Sequence, residues 1–532
     1  MLFPKTNHKI YLFGSAVIIF GLVTWVRLRL LDLPLERDEG EYAYMAQQLL
    51  QGILPYTESQ SMKFPGIYFV YAGILTIFGK SPNAIHLSLI FVNFGTSYFI
   101  FLLGKKILNT FAGIFSALCF SVLTLSTGFQ GLWANAEHFL LLPGMVGLYV
   151  LYIAKDRPDQ FFLSGILLGT ALLIKQHALF FCLFGILYIG CLIFWKLLPF
   201  HKLFKLVALF VFGILTPLIV SATLYGVTGN ISKLWFCTVQ YASEYVSLTS
   251  IGIGYKNFQS SFAKIIENNF SILWFSLVGV VSISWIRNKT REYMFLFGLF
   301  VCSFFAISPG LYFRPHYFLL WAPALSLLAG AGFEGFIEVA KSCRIKYLAS
   351  LGIFILGLGI PFFIQRNVFF KLPSLKVARL VYGMNPFEES LEISRYIRDH
   401  SEKNDRLAIL GSEPQIYFFS KRQAATRHIY MFPLMEGHKY ASDMQAELIR
   451  DVENVQPKFV VVVNLGESWI SPKQHITPIL KEWSQKYLDG NYDIQGVVDI
   501  FEDRDSVYKW GEQARDYDTQ SRYNLLLYKN RS

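Results

Sequence analysis

Four acidic residues occur in one short stretch that follows the first long apolar run of the sequence. They are Glu36, Asp38, Glu39 and Glu41, within LPLERDEGEYAYMAQQLLQG. A carboxylate held beside a membrane can take the proton from an attacking hydroxyl group. It can equally belong to a solvated loop, and Asp38 with Glu41 three residues later fits a capping box before an apolar helix face. The local sequence leaves both interpretations of Asp38 open.

Other ionisable residues lie beside apolar runs: Lys63 in KFPGIYFVYAG, Glu137 and His138 in GLWANAEHFLLLP, Lys175 and His177 in LLIKQHALFF, and Arg314 and His316 in LYFRPHYFLLWAP. Ionisable groups at membrane depth are costly and are usually functional. Taken singly, the cations could snorkel to headgroups and the histidines could simply pack. Glu137 could favour a helix start. Together with His138 it could hold a metal, but adjacent helix positions point about 100° apart.

These residue types suit the transfer of a group from a lipid phosphate. Cations directed at a departing phosphate stabilise the charge that grows in the transition state. One carboxylate can accept the proton of the attacking hydroxyl, and a phosphate leaves without a general acid. A lipid tail could then lie between apolar helices while its phosphate meets Lys63 or Arg314.

The elements that must position these residues are membrane helices. The chain has 532 residues, of which 53% are hydrophobic and 16% charged, whereas soluble domains average about 25% charged. Its apolar runs are long enough to cross a hydrocarbon core of about 30 Å. We predict eleven spans, at about 10–30, 84–104, 111–130, 135–154, 160–175, 177–196, 203–225, 268–286, 292–308, 315–335 and 346–364.

The net charge of +11 indicates membrane topology rather than nucleic-acid binding. With a cytoplasmic N-terminus, fifteen Lys and Arg fall in inner loops, and the short outer loops hold almost none. The positive-inside rule therefore predicts a multi-pass protein of the plasma membrane with its C-terminal part outside. The fifteen are Lys5, Lys9, Lys105, Lys106, Lys155, Arg157, Lys196, Lys202, Lys205, Arg287, Lys289, Arg291, Lys341, Arg344 and Lys346.

Three longer stretches fall on the outer side: the first outer loop at 32–83, a second at 226–267, and residues 371–532. In the second, NISKLWFCTVQYASEYV is typical of an interfacial helix. In the third, FEESLEISRYIRDH and PILKEWSQKYLDG predict helices, and RLAIL and KFVVVV predict buried strands. The expected fold is a mainly α, polytopic membrane domain over 1–370 followed by a soluble α/β domain over 371–532.

Four segments carry a resemblance to a known family: RDEGEYAYMAQQLLQGILPY, KFPGIYF, ANAEHFLLL and RPHYFLLWAPAL. Over about residues 10–335 they resemble the multi-spanning GT-C glycosyltransferases. The most similar branch contains bacterial relatives of the protein O-mannosyltransferases and of the aminoarabinose lipid A transferase. The resemblance implies inverting transfer of a sugar from a polyprenyl-phosphate carrier to a hydroxyl of a lipid, glycan or protein, at the extracytoplasmic face. No nucleic-acid partner is expected.

The resemblance also implies roles for individual residues. Asp38 corresponds to the catalytic base, with Glu39 beside it, and Lys63 to the contact of the donor phosphate, for which Lys175 and Arg314 are further candidates. Many members have Lys-Pro-Pro where this chain has KFP, so the turn differs while the charge remains. Members differ in metal dependence, so a divalent metal stays open and no cofactor is assigned. Expected substrate-binding residues are Glu41, Tyr42, Glu137, His138, His316 and Tyr317.

Two other classes of protein compete with a transferase. A transporter or flippase of a lipid-linked glycan should place polar groups near the membrane centre, often in repeated halves. This sequence gathers them on one face and shows no internal repeat. A non-catalytic subunit that presents substrate through residues 371–532 would tolerate the loss of Asp38.

Overall fold

The computed structural model describes residues 5–195, 197–282, 290–340, 346–469 and 478–531. Of the fifteen predicted inner cations, Lys196, Arg287, Lys289, Lys341 and Arg344 lie outside the described residues, as does the end of the span predicted at 268–286. The orientation of the chain across the membrane therefore stays a prediction.

Each of the eleven predicted spans has a helix at its position. Among the described residues, five helical segments are long and apolar enough to cross a membrane: Tyr11–Arg29, Pro82–Ile107, Ala136–Ile153, Phe200–Val227 and Ile251–Ser282. The helices at predicted spans are α1 (Lys5–Arg29), α4 (Pro82–Ile107), α5 (Thr110–Leu123), α6 (Ala136–Ile153), α7 (Pro158–Ile174), α8 (Leu179–Phe194), α9 (Leu203–Val227), α12 (Ile251–Ser282), α13 (Thr290–Ala306), α14 (Ala322–Ala340) and α15 (Lys346–Ile364).

Several predicted boundaries are wrong, because polar turns interrupt apolar runs. In the apolar run at 111–130 the helix ends at Leu123, and a short 3₁₀ turn follows at Thr127–Phe129. The run at 315–335 begins with the 3₁₀ segment Pro315–Leu320, so α14 starts only at Ala322. Helix α12 begins at Ile251, well before the predicted 268, and its backbone breaks at Asn269.

The first outer loop contains two helices, α2 (Arg37–Leu49) and α3 (Gly66–Ile77). Helix α3 is apolar but has only 12 residues, which is too short to cross a bilayer and explains why no element was predicted there. The predicted interfacial segment is helical through α10 (Ile231–Trp235), a π-helical turn at Phe236–Tyr241, and α11 (Ala242–Ser247).

Small residues bring helices α7 and α9 close together. A side chain at Gly165 would place its Cβ 2.2 Å from the carbonyl oxygen of Phe210, so only glycine fits this crossing. Close backbone approach through small residues is a common way for membrane helices to pack, since lipid offers no hydrophobic driving force between them. This packing fixes the direction of α7, whose C-terminal end leads into Lys175.

The C-terminal part is the predicted α/β domain, built on one six-stranded sheet of order β2-β1-β3-β6-β4-β5. Strands β1, β2 and β3 run parallel, and β6, β4 and β5 pair antiparallel. The strands are β1 (Arg406–Leu410), β2 (Gln423–Ala424), β3 (Phe459–Asn464), β4 (Tyr492–Ile500), β5 (Val507–Trp510) and β6 (Tyr523–Asn530). The helices from the end of α15 onward are α16 (Arg366–Phe370), α17 (Ser374–Tyr382), α18 (Glu389–Asp399), α19 (Gln415–Ser420), α20 (Phe432–Met435), α21 (Ala441–Val455), α22 (Gly466–Trp469), α23 (Pro478–Asn491) and α24 (Glu512–Arg515).

This domain rests directly on α2. A Cβ at Gly40 would lie 2.6 Å from the backbone nitrogen of Gln415, so helices α2 and α19 touch backbone to backbone. Arg37 pairs with Glu413 at 2.9 Å, and the hydroxyl of Tyr44 accepts a hydrogen bond from the backbone of Ala424 at 2.8 Å. The α/β domain thereby forms part of the surroundings of the acidic stretch.

Candidate active site

The helix cap at the acidic stretch is formed by Glu36 and Glu39. The Glu36 carboxylate accepts from the backbone N–H of Glu39 at 3.0 Å, and the Glu36 N–H donates to Glu39 Oε2 at 3.1 Å. This is a capping box, two residues earlier than the one predicted at Asp38 and Glu41. Of the two interpretations that the sequence left open for Asp38, capping is therefore excluded, and its side chain is free for other contacts.

Glu39 is fully buried and faces away from the cavity that Asp38 lines. Its Oε1 accepts from His86 Nε2 at 2.9 Å and from the backbone N–H of Ala134. His86 Nδ1 lies 2.9 Å from the carbonyl oxygen of Leu31, so both ring nitrogens face acceptors and the ring carries two protons. The carboxylate of Glu39 is thus occupied in holding α2 against its neighbours, and the geometry does not support the predicted catalytic role.

Asp38 lines a cavity of about 410 Å³ between the membrane helices and the α/β domain. Its Oδ1 accepts from Lys63 Nζ at 3.0 Å and lies 3.4 Å from the hydroxyl of Tyr430. Its Oδ2 has no hydrogen-bond partner among the described residues and lies 3.9 Å from His316 Nε2. The side chain is 20% exposed, so one carboxylate oxygen is available to a ligand in the cavity.

Lys63 lies between two carboxylates. Its ammonium donates to Asp38 at 3.0 Å and to Glu41 at 2.8 Å, and it stands 4.6 Å from the ring centroid of Tyr42. Burial alone would raise the pKa of Asp38, but the neighbouring cations, Lys63 foremost, hold that pKa below its ordinary value. Asp38 is therefore ionised at neutral pH, as a proton acceptor must be.

The carboxylate of Glu41 is occupied by contacts within the protein. Besides Lys63, its carboxylate accepts from the hydroxyls of Ser61 at 2.6 Å and Tyr68 at 2.7 Å. Only 2% of Glu41 is exposed, and Tyr42 is fully buried beneath Lys63. These contacts hold Lys63 beside Asp38, but Glu41 also lines the cavity, so the expected substrate contacts of Glu41 and Tyr42 stay predictions.

The two predicted residues at the start of α6 point apart. Glu137 accepts a hydrogen bond from Lys175, whose ammonium also lies 4.6 Å from the ring centroid of Tyr317. His138 instead places Nδ1 3.1 Å from Asn93 Oδ1, and neither Glu137 nor His138 lines the cavity. Within the described ranges, no group of three or more His, Cys, Asp and Glu is arranged around a common metal position.

Arg314 is a cation on the cavity wall with no ion pair or hydrogen bond from its guanidinium within the described residues. It lies 5.8 Å from the ring centroid of Tyr312. Two residues just before it, Leu311 and Phe313, have positive φ values of 55° and 44°. Non-glycine residues adopt this conformation at a cost and are concentrated at functional sites. The strained loop directs a free guanidinium, suited to phosphate, into the cavity.

His316 lies in the same loop and faces Asp38. Its Nδ1 is 3.1 Å from Gln130 Oε1, so this nitrogen carries the proton and donates it to the amide oxygen. Its Nε2 is buried without a partner. Gln130 itself has a positive φ of 51°, which places a third residue of this conformation beside the site.

Several cavity residues come from parts of the chain that the sequence did not connect with the site. Tyr430 donates its hydroxyl hydrogen to the backbone oxygen of Arg37 at 2.8 Å and faces Asp38. Glu436 accepts from the hydroxyl of Tyr241 at 3.2 Å, and burial raises its pKa to about 7. Neither residue stands in a motif, so no local signal identified them. The other newly found lining residues include Gln60, Tyr245, Tyr382, Phe387 and Phe432.

Known proteins resemble the chain in part of its sequence and in its fold. A family model described as dolichyl-phosphate-mannose-protein mannosyltransferase matches residues 62–226, a segment that includes Lys63 and Lys175 but not Asp38. No curated protein matches the chain by sequence. Solved structures match nearly its whole length.

ArnT of Cupriavidus metallidurans, bound to undecaprenyl phosphate, matches with a TM-score of 0.59 and 14% identity, over 99% of each chain. The oligosaccharyltransferase AglB of Archaeoglobus fulgidus, in complex with an inhibitory peptide and a dolichol-phosphate, matches with a TM-score of 0.57 and 10% identity. That match covers 96% of this chain and 75% of AglB. The chain shares the fold of ArnT and AglB, which agrees with the fold that the resemblance in its motifs implies.

Proposed function

We propose that this protein transfers a sugar from a polyprenyl-phosphate carrier to a hydroxyl group, with inversion at the sugar carbon. The observation that carries the proposal is the presence of two groups on the wall of one cavity: an ionised Asp38 with one carboxylate oxygen free, and Arg314, whose guanidinium has no ion pair among the described residues. A base and a phosphate-binding cation are the two groups that such a transfer needs.

The reaction follows from these groups. The acceptor hydroxyl oxygen bonds to the anomeric carbon as the bond from that carbon to the phosphate oxygen breaks. The bonding electrons leave with the polyprenyl phosphate, and the hydroxyl proton passes to Asp38 Oδ2. Attack from the face opposite the leaving phosphate inverts the configuration. A phosphate is a good leaving group, so no second carboxylate is needed.

Arg314 is the principal phosphate-binding residue in this proposal. A guanidinium offers two parallel N–H groups to phosphate oxygens and costs less to desolvate than an ammonium. Lys63 already forms an ion pair with Asp38, and Lys175 already forms one with Glu137. We assign Lys63 to keeping Asp38 ionised, and Lys175 to adding positive potential rather than a free contact.

The hydroxyl acceptor enters between Asp38 and the α/β domain. Tyr430 and Glu436 of that domain line the cavity beside Asp38 and Arg314. We therefore divide the chain into a transferase domain at 1–370 and an acceptor-facing domain at 371–532. The distribution of Lys and Arg supports placing the cavity on the extracytoplasmic side of the plasma membrane.

The comparisons support the carrier class. Two proteins that share this fold were captured with undecaprenyl phosphate and with a dolichol-phosphate. The matched family is one of transferases whose name gives a dolichyl-phosphate sugar as donor. Polyprenyl phosphates are therefore the donors to test first, and the acceptor is to be sought among lipids, surface glycans and proteins.

Mass spectrometry of membrane lipids and surface glycans tests the proposal in cells that lack the protein. Cells restored with the parent chain should regain a sugar-bearing product, and cells restored with Asp38→Asn should instead accumulate the lipid-linked donor. Asp159→Asn is the matched control, because that carboxylate is 64% exposed at the start of α7 and does not line the cavity. Identical glycans and lipids with and without the protein would refute the proposal.

A further inference from the structure

A second cavity, of about 300 Å³, lies between α2, α18, α19 and Lys80, which stands two residues before the start of α4. We call it the basic cavity. It is separate from the one that Asp38 lines, and nothing in the proposed transfer uses it. Its wall is formed by Gln47, Lys80, Leu391, Glu392, Arg395, Arg398, Phe418, Phe419 and Lys421.

The charge of the basic cavity favours an anion. Four cationic side chains line it and only one carboxylate, Glu392, which accepts from Arg395 at 2.8 and 2.9 Å. Arg398 has a loose contact with Asp399 at 3.3 Å. The ammonium groups of Lys80 and Lys421 have no ion pair or hydrogen bond within the described residues. A concave site in which cations outnumber carboxylates, and in which two cations are unpaired, raises the local concentration of anionic ligands.

The surroundings of Lys80 place the basic cavity at the membrane surface. Ile77 and Phe78, just before it, are 76% and 37% exposed, although both are apolar. Phe78 contacts Phe91 of α4, whose ring is 58% exposed on the side of that helix. Apolar side chains that face outward beside a membrane helix mark contact with lipid, and the cations that follow them meet the headgroups.

A polar atom in the basic cavity also lacks a partner. Oε1 of Gln47 is shielded from solvent and accepts no hydrogen bond from any residue that the structure describes. A buried acceptor without a donor costs free energy, so it gains from a ligand that carries a hydroxyl group. The site therefore offers cations for a phosphate and an acceptor for a hydroxyl.

We propose that the basic cavity binds the headgroup of an anionic phospholipid of the phosphatidylglycerol type. The phosphate meets Arg395, Arg398 and the two lysines, and a glycerol hydroxyl donates to Gln47. Zwitterionic headgroups fit less well, because their own cation would face four others. This inference is independent of the proposed transfer reaction.

Binding there joins parts of the chain that are far apart in sequence. The headgroup connects α18 and α19 of the α/β domain to α2 and to the start of α4. Helix α2 carries Gln47 near one end and Asp38 near the other, about 14 Å away at 1.5 Å per residue. An anionic lipid should therefore strengthen the attachment of the α/β domain to the helix that carries Asp38.

The test is a lipid-binding titration of the full chain in nanodiscs of phosphatidylcholine containing increasing phosphatidylglycerol, followed by native mass spectrometry. Retained phosphatidylglycerol should exceed retained phosphatidylcholine. A cation at a membrane surface contributes about 1 kcal/mol, so Arg395→Gln and Lys421→Gln should each weaken binding about fivefold. These side chains are exposed, so both variants should fold.

Lys481→Gln and Lys486→Gln are matched controls, since both lysines are exposed on α23 and lie outside the basic cavity. They should bind the lipid like the parent. Gln47→Leu should lose the preference for phosphatidylglycerol over phosphatidic acid, which has no glycerol hydroxyl. Equal affinity in the parent, the Arg395 and Lys421 variants and the controls would overturn the proposal. Displacement of the lipid by millimolar inorganic phosphate would also overturn it, because it would identify a site for free anions.

Discussion

Replacing Asp38 with Asn exchanges one carboxylate oxygen for an amide group and leaves the shape of the side chain unchanged. The helix cap is untouched, because Glu36 and Glu39 form it. Lys63 retains Glu41 at 2.8 Å, so no buried cation is left alone. We therefore expect the variant to fold and to reach the membrane at the level of the parent chain.

The effect on the reaction should be large, because an amide cannot accept the hydroxyl proton. Loss of general-base catalysis lowers a rate by roughly 10² to 10⁴. At about 1.36 kcal/mol for each factor of ten, this raises the barrier by about 2.7 to 5.4 kcal/mol. The base acts only in the transition state, so kcat should fall while the KM for the donor stays near its parent value.

The assay measures initial rates of sugar transfer from a polyprenyl-phosphate donor in proteoliposomes, with thermal unfolding recorded on the same samples. Asp159→Asn should leave both quantities unchanged, because this exposed carboxylate pairs with Arg157 at the start of α7 and, within the described ranges, with no other cation. A stable Asp38→Asn protein that retains parent-like kcat would refute the assignment of the base.

Four further outcomes are expected. Arg314→Gln should raise the KM for the donor and lower kcat at normal expression, and Arg314→Lys should restore only part of the activity, because an ammonium cannot form the bidentate contact with phosphate; unchanged kinetics in a donor titration of Arg314→Gln would contradict this role. Glu36→Gln and Glu39→Gln separate structure from chemistry. Glu39→Gln should lower the unfolding temperature strongly, because its one oxygen can serve His86 and Ala134 but its amide N–H₂ then faces the backbone N–H of Glu36, a donor against a donor. Glu36→Gln keeps an oxygen for the cap, and equal thermal stability of Glu39→Gln and the parent would refute the structural role. Burial raises the pKa of Glu436 to about 7, so its carboxyl is neutral below that pH and negative above it. The KM for the anionic donor should therefore rise as the pH increases through about 7. A Glu436→Gln protein with the same pH profile as the parent would show that this carboxyl does not face the donor. A reporter that is active only outside the cytoplasm should be active when fused after residue 380, and activity of a cytoplasmic reporter at that position would reverse the orientation.

Much of the membrane fold could be predicted, because apolar length is a local property of the sequence. The eleven predicted spans each correspond to a helix, and RLAIL and KFVVVV are strands β1 and β3. The errors occur where the length of an element or its tertiary contacts determine its boundaries. Helix α3 is too short for a span. Helix α12 begins seventeen residues before its predicted start, because its first part is amphipathic rather than uniformly apolar.

The site was predicted in its charges but not in its pairings. Asp38 and Lys63 were both identified, but their contact at 3.0 Å depends on a loop whose geometry the sequence does not give. The capping box was misplaced because two acids spaced three apart occur twice in the stretch. Contacts of Glu39 with His86 and Ala134 select the earlier pair. Tyr430 reaches Asp38 across 392 residues of sequence, a separation that no local pattern encodes.

The most direct test of the account follows both products of one reaction in proteoliposomes that hold a purified polyprenyl-phosphate sugar. We predict that free polyprenyl phosphate appears in equal amount to the glycosylated acceptor, and that nuclear magnetic resonance shows the anomeric configuration inverted. Both products should be lost together in Asp38→Asn. Retained configuration would contradict direct attack by the acceptor. Movement of the intact lipid-linked sugar across the membrane, without release of the phosphate, would identify a transporter instead.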